Sequence, residues 1–182
     1  NLWRDFIIRK AILKDVNSIE DTYNEHFQYE LNHTAFTVFK KGVYPTKDDA
    51  ERAIYAGALF VYEENGTIVG EVALHETDIV TENENITQLV LAQSAVLPEY
   101  RMQGIMRRLV EYALEKAEKM GYGAVFLGGN PNLYGRFGFE PSSAYGIYHE
   151  NRKKWGDEGF MVCILKAGVL DDVTGTTYYY GG

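Results

Sequence analysis

The chain has 182 residues, of which 46% are hydrophobic and 14% aromatic, and this length and apolar content predict one domain with its own core. The net charge of −8 argues against a general nucleic-acid binder, because such proteins carry a broad basic face. No apolar run approaches the roughly 20 residues that a membrane-spanning helix needs, and no charged-then-apolar leader opens the sequence, so no membrane partner is expected.

The first half of the chain predicts a strand, two helices and a β-hairpin. A strand over 6–11 leads to a helix that begins at Asp15, whose apolar residues recur three and four positions apart. Thr46 and Asp49 have the spacing of a capping box, which predicts a second, short helix. The pair Asn65-Gly66 turns the chain back within 58–75, because both residues tolerate the positive φ of a type I′ turn.

The second half of the chain predicts a βαβ unit. Residues 77–85 are polar, which indicates a solvated loop. A strand over 89–96, a helix over 104–120 and an apolar strand over 124–127 then follow in order. Strands joined by a helix in this way are parallel, with a right-handed crossover. The apolar stripe of the predicted helix consists of Met106, Val110, Ala113, Ala117 and Met120.

The last third of the chain adds a short helix and two strands. Pro131 can begin the helix, and the strands are predicted near 145–149 and 160–166. The single cysteine, Cys163, is expected to be a buried strand thiol, which indicates a reduced, cytoplasmic setting. The order of elements predicts an α+β fold with one central mixed sheet and a single domain over 1–182.

The most informative stretch is 96–108, where a strand ends, a short loop follows and a helix begins. The first amides of a helix have no intrahelical partner, so together with the helix dipole they form an anion site. Gly104 allows close backbone approach, and Arg101, Arg107 and Arg108 surround the same helix end. The alternative is an ordinary turn with solvated arginines, and local chemistry favours neither.

No other pattern in the sequence predicts a cofactor or a metal. The glycine motifs of phosphate-binding and dinucleotide-binding loops are absent. The histidines are scattered, without helical spacing beside an acidic partner, so no metal site is expected; they are His26, His33, His75 and His149.

Two motifs resemble those of the GNAT superfamily of N-acetyltransferases. Arg101-x-x-Gly104 is similar to its acyl-CoA loop, and Tyr134-Gly-Arg-Phe-Gly-Phe139 to the ending of one predicted-acetyltransferase subgroup. The resemblance is strong over 89–140 and implies a mixed sheet of about six to seven strands flanked by about four helices. One position departs, because the family prefers Gly or Ala where this chain has Met106.

The resemblance implies acetyl-CoA as co-substrate and direct attack by an amine in a ternary complex. The pantetheine arm would lie between strands 89–96 and 124–127, on the backbone of Ala95 and Val96, with Asn130 as a further partner. Asn130 can equally cap the helix at Pro131. The pyrophosphate would bind the loop and first helical turn, namely Arg101, Met102, Gln103, Gly104, Ile105, Met106 and Arg107.

The resemblance also implies that Tyr134 protonates the departing thiolate, since a phenol keeps its proton at neutral pH. On spacing alone, Tyr134 could instead be a core aromatic beside Phe137 and Phe139. No motif identifies the base. Glu71 and His75 share one strand face and could relay a proton through water, but a solvated strand face explains them as well.

Two further functions stay open on the sequence. One is a non-catalytic CoA-binding or sensing domain, which Met106 alone favours. The other is an interaction module built on the aromatic segment 27–44 and the tail 178–180. For the enzyme, the acceptor is a small-molecule or peptide amine that residues 20–57 and 145–165 would shape, and a homodimer is left open.

Overall fold

The computed structural model describes residues 5–33 and 39–178. Phe36, Tyr179 and Tyr180, which belong to the segments of the interaction-module hypothesis, lie outside the described residues. The helices are α1 (Val16–Glu30), α2 (Lys47–Tyr55), α3 (Ile105–Lys119), α4 (Pro131–Tyr134) and α5 (Arg152–Trp155). The strands are β1 (Phe6–Lys10), β2 (Leu59–Glu64), β3 (Thr67–Val80), β4 (Asn85–Val96), β5 (Ala124–Gly128), β6 (Glu140–Pro141), β7 (Ile147–His149), β8 (Phe160–Ile164) and β9 (Gly175–Thr177). Within the described part of the chain, no helix has the length and apolar content to span a bilayer.

The strands belong to one mixed sheet, as the sequence predicts, and the hydrogen-bonded order is β1-β2-β3-β4-β5-β8-β6, with β7 and β9 off this path. The described residues fall into two compact units. The first unit comprises 5–33, 39–74 and 93–113, and the second comprises 75–92 and 114–178. β3, β4 and α3 each contribute residues to both units.

The first unit begins as an antiparallel meander, with β1 paired to β2 and β2 paired to β3. Asn65 and Gly66 have φ angles of 50° and 79°, which confirms the predicted positive-φ hairpin turn. Side chains of α1, α2, β2 and β3 form one apolar cluster, and burying each Ile, Leu or Val side chain there stabilises the fold by about 1.5–3 kcal/mol. Its members include Ile19, Ala50, Ala53, Leu59, Val61 and Ala73.

The predicted capping box of α2 is confirmed. The Thr46 amide donates to the Asp49 carboxylate at 2.6 Å, and the Asp49 amide donates back to the Thr46 hydroxyl at 3.5 Å. This reciprocal pair satisfies amides that the first turn of a helix leaves open, so it determines where α2 begins.

The second unit contains the predicted parallel pair. β4 pairs with β5 in parallel register at Leu89–Val125 and Val90–Phe126. β8 pairs antiparallel with β5 and with β6, and its Phe160 stacks on Phe126 at 5.7 Å between ring centroids. The side chain of Gln88 in β4 contacts the backbone at the start of β5, because its Oε1 accepts hydrogen bonds from the amides of Gly123 and Ala124. The side-chain amide therefore sets the start of β5.

The prediction of a solvated loop over 77–85 is wrong. β3 continues to Val80, and only 81–84 form the turn before β4. Thr77 and Ile79 are buried while Asp78 and Val80 are exposed, and Ile79 pairs with Thr177 of β9. The segment is thus a strand with one covered face, in which buried residues alternate with exposed ones.

Smaller differences concern element ends. A 3₁₀ turn over Leu13–Asp15 precedes α1, so the α-helix begins at Val16 and not at Asp15. Likewise a 3₁₀ turn occupies Ser142–Tyr145, which shortens the predicted strand at 145–149 to Ile147–His149. The predicted stripe of the long helix is only partly right. Met106 is half-buried and Met120 is exposed, while the buried face consists of Ile105, Leu109, Val110, Ala113 and Ala117.

Cys163 lies in β8, as predicted, but it is only half-buried. Burial, together with the nearby Glu140 charge, raises the pKa of the thiol. A raised pKa keeps the thiol protonated at neutral pH, and this lowers its reactivity.

Candidate functional site

β4 changes conformation in its second half. Its ladder with β5 ends at Val90–Phe126, and three residues later Gln93 has a φ of 56°. A non-glycine residue in this region breaks a regular strand ladder, as in a β-bulge. Gln93 is buried, and its Oε1 has no hydrogen-bond partner among the described residues. No sequence pattern predicted this residue, since nothing in an apolar strand signals a left-handed position.

The loop between β4 and α3 is an open backbone turn. Pro98–Tyr100 form a 3₁₀ turn, and Met102 and Gly104 then have φ angles of 61° and 78°. Gly104 is exposed, and a Cβ built on it would meet no atom within 4 Å. The Arg108 amide donates to the Gly104 carbonyl at 3.2 Å, so the amides of Ile105 and Met106 lie ahead of the first α3 bond. This is the geometry of an anion site.

Side chains of this loop divide between solvent and core. Met102 is 99% exposed, Gln103 and Arg107 are exposed, Ile105 is buried and Met106 is half-buried. The Ile105 side chain thus anchors the first turn of α3. Met106, the residue that departs from the family pattern, is neither fully exposed to solvent nor fully buried.

Arg101 is not a solvated arginine. Its Nε donates to the Val96 carbonyl at 3.3 Å, and its Nη2 lies 2.8 Å from His26 Nδ1. Its guanidinium also lies over the Tyr29 ring, 3.9 Å from the centroid. The Val96 carbonyl, one of the groups predicted to meet pantetheine, therefore already accepts a side-chain hydrogen bond.

The other two arginines of the loop region differ. Arg108 donates to the Tyr62 hydroxyl at 3.1 Å and lies over the Phe6 ring, so it packs on the sheet. Arg107 is exposed and lies 3.8 Å from Glu111 in an i,i+4 ion pair. Such an exposed pair is worth little energy, so Arg107 is available to an anion at modest cost.

The burial of Glu71 differs from what the sequence analysis allowed, namely a side chain on a solvated strand face. A solvated strand face is wrong for this residue, because its side chain is fully buried on β3. Neither carboxylate oxygen makes a hydrogen bond of normal geometry within the described residues. Burial raises the pKa of Glu71 well above its ordinary value, and the nearby Ala95 backbone opposes that shift. His75, four residues along, is half-buried.

Tyr134 ends α4 and is half-buried. Its ring lies edge-on to Phe137 and Phe139, at centroid distances of 5.9 and 6.1 Å. Gly129 makes room for it, since a Cβ there would lie 2.6 Å from Tyr134 Cε2. The core-aromatic hypothesis is therefore correct about packing, although the residue as a whole is only half-buried. The role of Gly129 was not predicted from sequence.

Asn130 caps α4, which confirms the second of the two roles that the sequence analysis gave it. Its Oδ1 accepts from the Asn132 amide at 2.9 Å. Its side-chain NH₂ group is not needed for that bond, so a contact with pantetheine stays a prediction.

Of the predicted site residues, the first unit brings together Glu71, Ala95, Val96 and the loop 101–107. The second unit holds His75, Asn130 and Tyr134. In the described ranges, no group of three or more His, Cys, Asp or Glu side chains is placed to hold a metal ion.

The comparisons with known proteins agree with this backbone arrangement. The family model described as "Acetyltransferase (GNAT) domain" matches residues 8–142. An Escherichia coli protein named uncharacterized N-acetyltransferase YhbS is 34% identical over 124 residues, which are 67% of this chain and 71% of that protein. The chain belongs to the GNAT acetyltransferase family.

Solved GNAT structures share the fold. The Escherichia coli YhbS structure, a complex with CoA, aligns with a TM-score of 0.76 at 24% identity over 99% of this chain and 92% of that one. A Brucella melitensis GNAT acetyltransferase, in complex with acetyl-CoA, aligns with a TM-score of 0.70 at 21% identity over 97% of this chain and 96% of that one.

The GNAT family match covers only part of the chain. It includes the loop after β4 and Tyr134, but it ends at residue 142. β7, α5 and β8 follow that point, and they lie in the region expected to shape the acceptor site. The family therefore identifies the acetyltransferase, and the acceptor is a separate question.

Proposed function

We propose that this GNAT protein transfers an acetyl group from acetyl-CoA to a primary amine of a small-molecule or peptide acceptor, in a ternary complex and in the cytoplasm. Residues 1–182 would act as one acyltransferase domain. The observation that carries the proposal is the open turn at Met102–Gly104, which leads directly into the first amides of α3. Two solved GNAT relatives, one in complex with CoA and one in complex with acetyl-CoA, support it.

The first unit would bind the cofactor. Backbone amides from Arg101 to Arg107 would meet the pyrophosphate, since unpaired N–H groups and the helix dipole both favour an anion there. The exposed Arg107 would add a positive charge. The backbone of Ala95 and Val96 would take the pantetheine arm as an added strand. Asn130 of the second unit is a further candidate for that arm.

The chemistry would be a direct displacement. The amine nitrogen attacks the thioester carbonyl, the carbon–sulfur bond breaks, and the thiolate leaves. Tyr134 would give its phenolic proton to that thiolate, because a phenol of ordinary pKa about 10 is protonated at neutral pH. The amine loses one proton, for which Glu71 is the stronger of the two proposed acceptors and His75 the other. A raised carboxyl pKa brings the base closer to the operating pH.

The direct test of the cofactor is a thermal shift. Acetyl-CoA is expected to raise Tm, because a ligand that binds only the folded state stabilises it by mass action. At a concentration one hundred times Kd the gain is about 2.7 kcal/mol, or roughly 5–10 °C for a domain of this size. CoA should do nearly the same, because its phosphates and pantetheine are the anchors. No shift at millimolar CoA or acetyl-CoA would contradict the proposal, and a shift without thiol release for any amine would favour the non-catalytic CoA-binding alternative.

Glu71→Gln tests the base. The variant is expected to lower kcat by roughly 10²–10⁴-fold, the usual contribution of a general base. Although the variant should lose activity, it should gain stability relative to wild type as the pH rises. Because burial raises the folded-state pKa of Glu71, wild type loses stability as pH rises above the ordinary Glu pKa of about 4.3, whereas Gln stays neutral.

The measurement for Glu71→Gln combines turnover with urea unfolding between pH 4 and 8. The unfolding free energy of wild type relative to the variant should fall as pH increases. Glu51→Gln, at an exposed position of α2, is the matched control and should change neither quantity. Turnover of Glu71→Gln within a few-fold of wild type would remove Glu71 from the reaction.

A further inference from the structure

Arg101, the first residue of the cofactor motif, directs its guanidinium onto α1. Its Nη2 lies 2.8 Å from His26 Nδ1, although the two residues are 75 positions apart in the sequence. The Tyr29 ring lies beneath the guanidinium at 3.9 Å. The Nε atom of Arg101 donates to the carbonyl of Val96, and Val96 is the last residue of β4. One side chain thus joins the last turns of α1 to the end of β4 and to the loop, all within the first unit.

The donors and acceptors determine the state of His26. A guanidinium has only donors, so Nδ1 of His26 must accept, and the ring proton must be on Nε2. Nε2 lies 3.7 Å from Glu30 Oε1, on the same helix. Burial, and secondarily the Arg101 charge, lower the pKa of His26 to about 4, so the neutral ring is the state at neutral pH. The contact is therefore a stable, charge-assisted hydrogen bond under ordinary conditions.

Position on α1 adds to the attraction. His26 and Tyr29 lie in the last two turns of a helix that ends at Glu30. The carbonyl end of a helix carries partial negative charge, which favours a cation. Glu30 is partly buried and adds to this effect on Arg101. The end of α1 thus binds the guanidinium through three features, namely an acceptor nitrogen, an aromatic face and the negative end of the helix.

We infer that His26 and Tyr29 are positioning residues, which hold Arg101 and, through it, the loop backbone in the shape that the CoA phosphates require. The inference rests on the proposed cofactor site. Beyond Arg101 the loop is exposed at Met102 to Gly104 and contains two positive φ angles. A segment with so few packing contacts must lose backbone freedom when the ligand binds, and holding one end in advance lowers that cost.

The test compares His26→Leu with His26→Asn. Leucine fills the space but cannot accept from Arg101, whereas Asn Oδ1 can take the place of Nδ1. His26→Leu is expected to increase the Kd of CoA about tenfold, the effect of losing one charge-assisted hydrogen bond, and His26→Asn to stay within a few-fold of wild type. At saturating acetyl-CoA, kcat should not change in either variant. Gln28→Ala, exposed on the same helix, is the control and should bind like wild type.

Amide hydrogen exchange without ligand separates this inference from the cofactor proposal. His26→Leu should speed exchange at the amides of 102–106, and His26→Asn should not. If exchange changes in this way but wild type binds no CoA, the cofactor site is wrong and the positioning of the loop is right. If His26→Leu keeps both wild-type exchange and wild-type CoA affinity, the inference is overturned. Should His26→Leu fail to fold, Tyr29→Leu removes the ring under Arg101 and is expected to shift the same two readouts.

Discussion

Gly104→Glu is expected to abolish CoA binding while the fold survives. Gly104 has a φ of 78°, a region that costs an L-residue about 1–2 kcal/mol. A Cβ there meets no atom within 4 Å, so the side chain enters open space and no core contact is lost. The new carboxylate would lie where backbone amides meet phosphate, and like charges repel. Titration calorimetry with CoA measures the loss, and circular dichroism with a melting curve confirms the fold.

Gly121→Glu is the matched control for this change. Gly121 has a φ of 92°, also with no atom within 4 Å of a built Cβ, and it follows the opposite end of α3. The two variants thus share the backbone cost and the added charge, and they differ in which helix end receives it. Equal loss of CoA binding in both would show that the effect is global. Wild-type affinity in Gly104→Glu would show that the phosphates bind elsewhere.

Much of the fold follows from local signals. The capping pair at Thr46 and Asp49 and the turn at Asn65-Gly66 are each encoded within a few neighbouring residues, and the parallel pair follows from the order strand, helix, strand. The strand over 77–80 was missed because its alternation includes Thr and Asp, which suit a loop by composition. Its pairing with the three-residue strand β9 is not foreseeable, because so short a strand has no periodic pattern of its own.

In the candidate site, too, some features follow from neighbouring residues, whereas others depend on contacts between residues far apart in the sequence. The loop backbone was predictable, since a glycine after a strand and before a helix is a local pattern. The direction of the Arg101 side chain was not, because His26 lies on a helix far away in sequence. For Glu71, strand period places the side chain on a face, but only the tertiary fold determines that the residue is fully buried.

Gly128 and Gly129 explain why two aromatic rings can lie at the end of β5. A Cβ on Gly128 would lie 2.7 Å from the Trp155 ring, and one on Gly129 would lie 2.6 Å from the Tyr134 ring. Each glycine therefore determines the position of one ring, and the two sites are adjacent in the chain. This pair of glycines offers a comparison in which the same small change displaces either the ring of the proposed acid, Tyr134, or the ring of Trp155.

Tyr134→Phe is expected to lower kcat by roughly 10²–10⁴-fold, the usual range for loss of a general acid, with little change in the Kd of acetyl-CoA. The ring keeps its contacts with Phe137 and Phe139, so the melting temperature should hardly move. Gly129→Ala, which displaces the ring, should lose turnover as well, whereas Gly128→Ala should lose less at a similar cost in stability. Turnover of Tyr134→Phe within a few-fold of wild type would assign Tyr134 to packing alone, and it would leave the cofactor loop untouched, because that site rests on separate residues of the first unit.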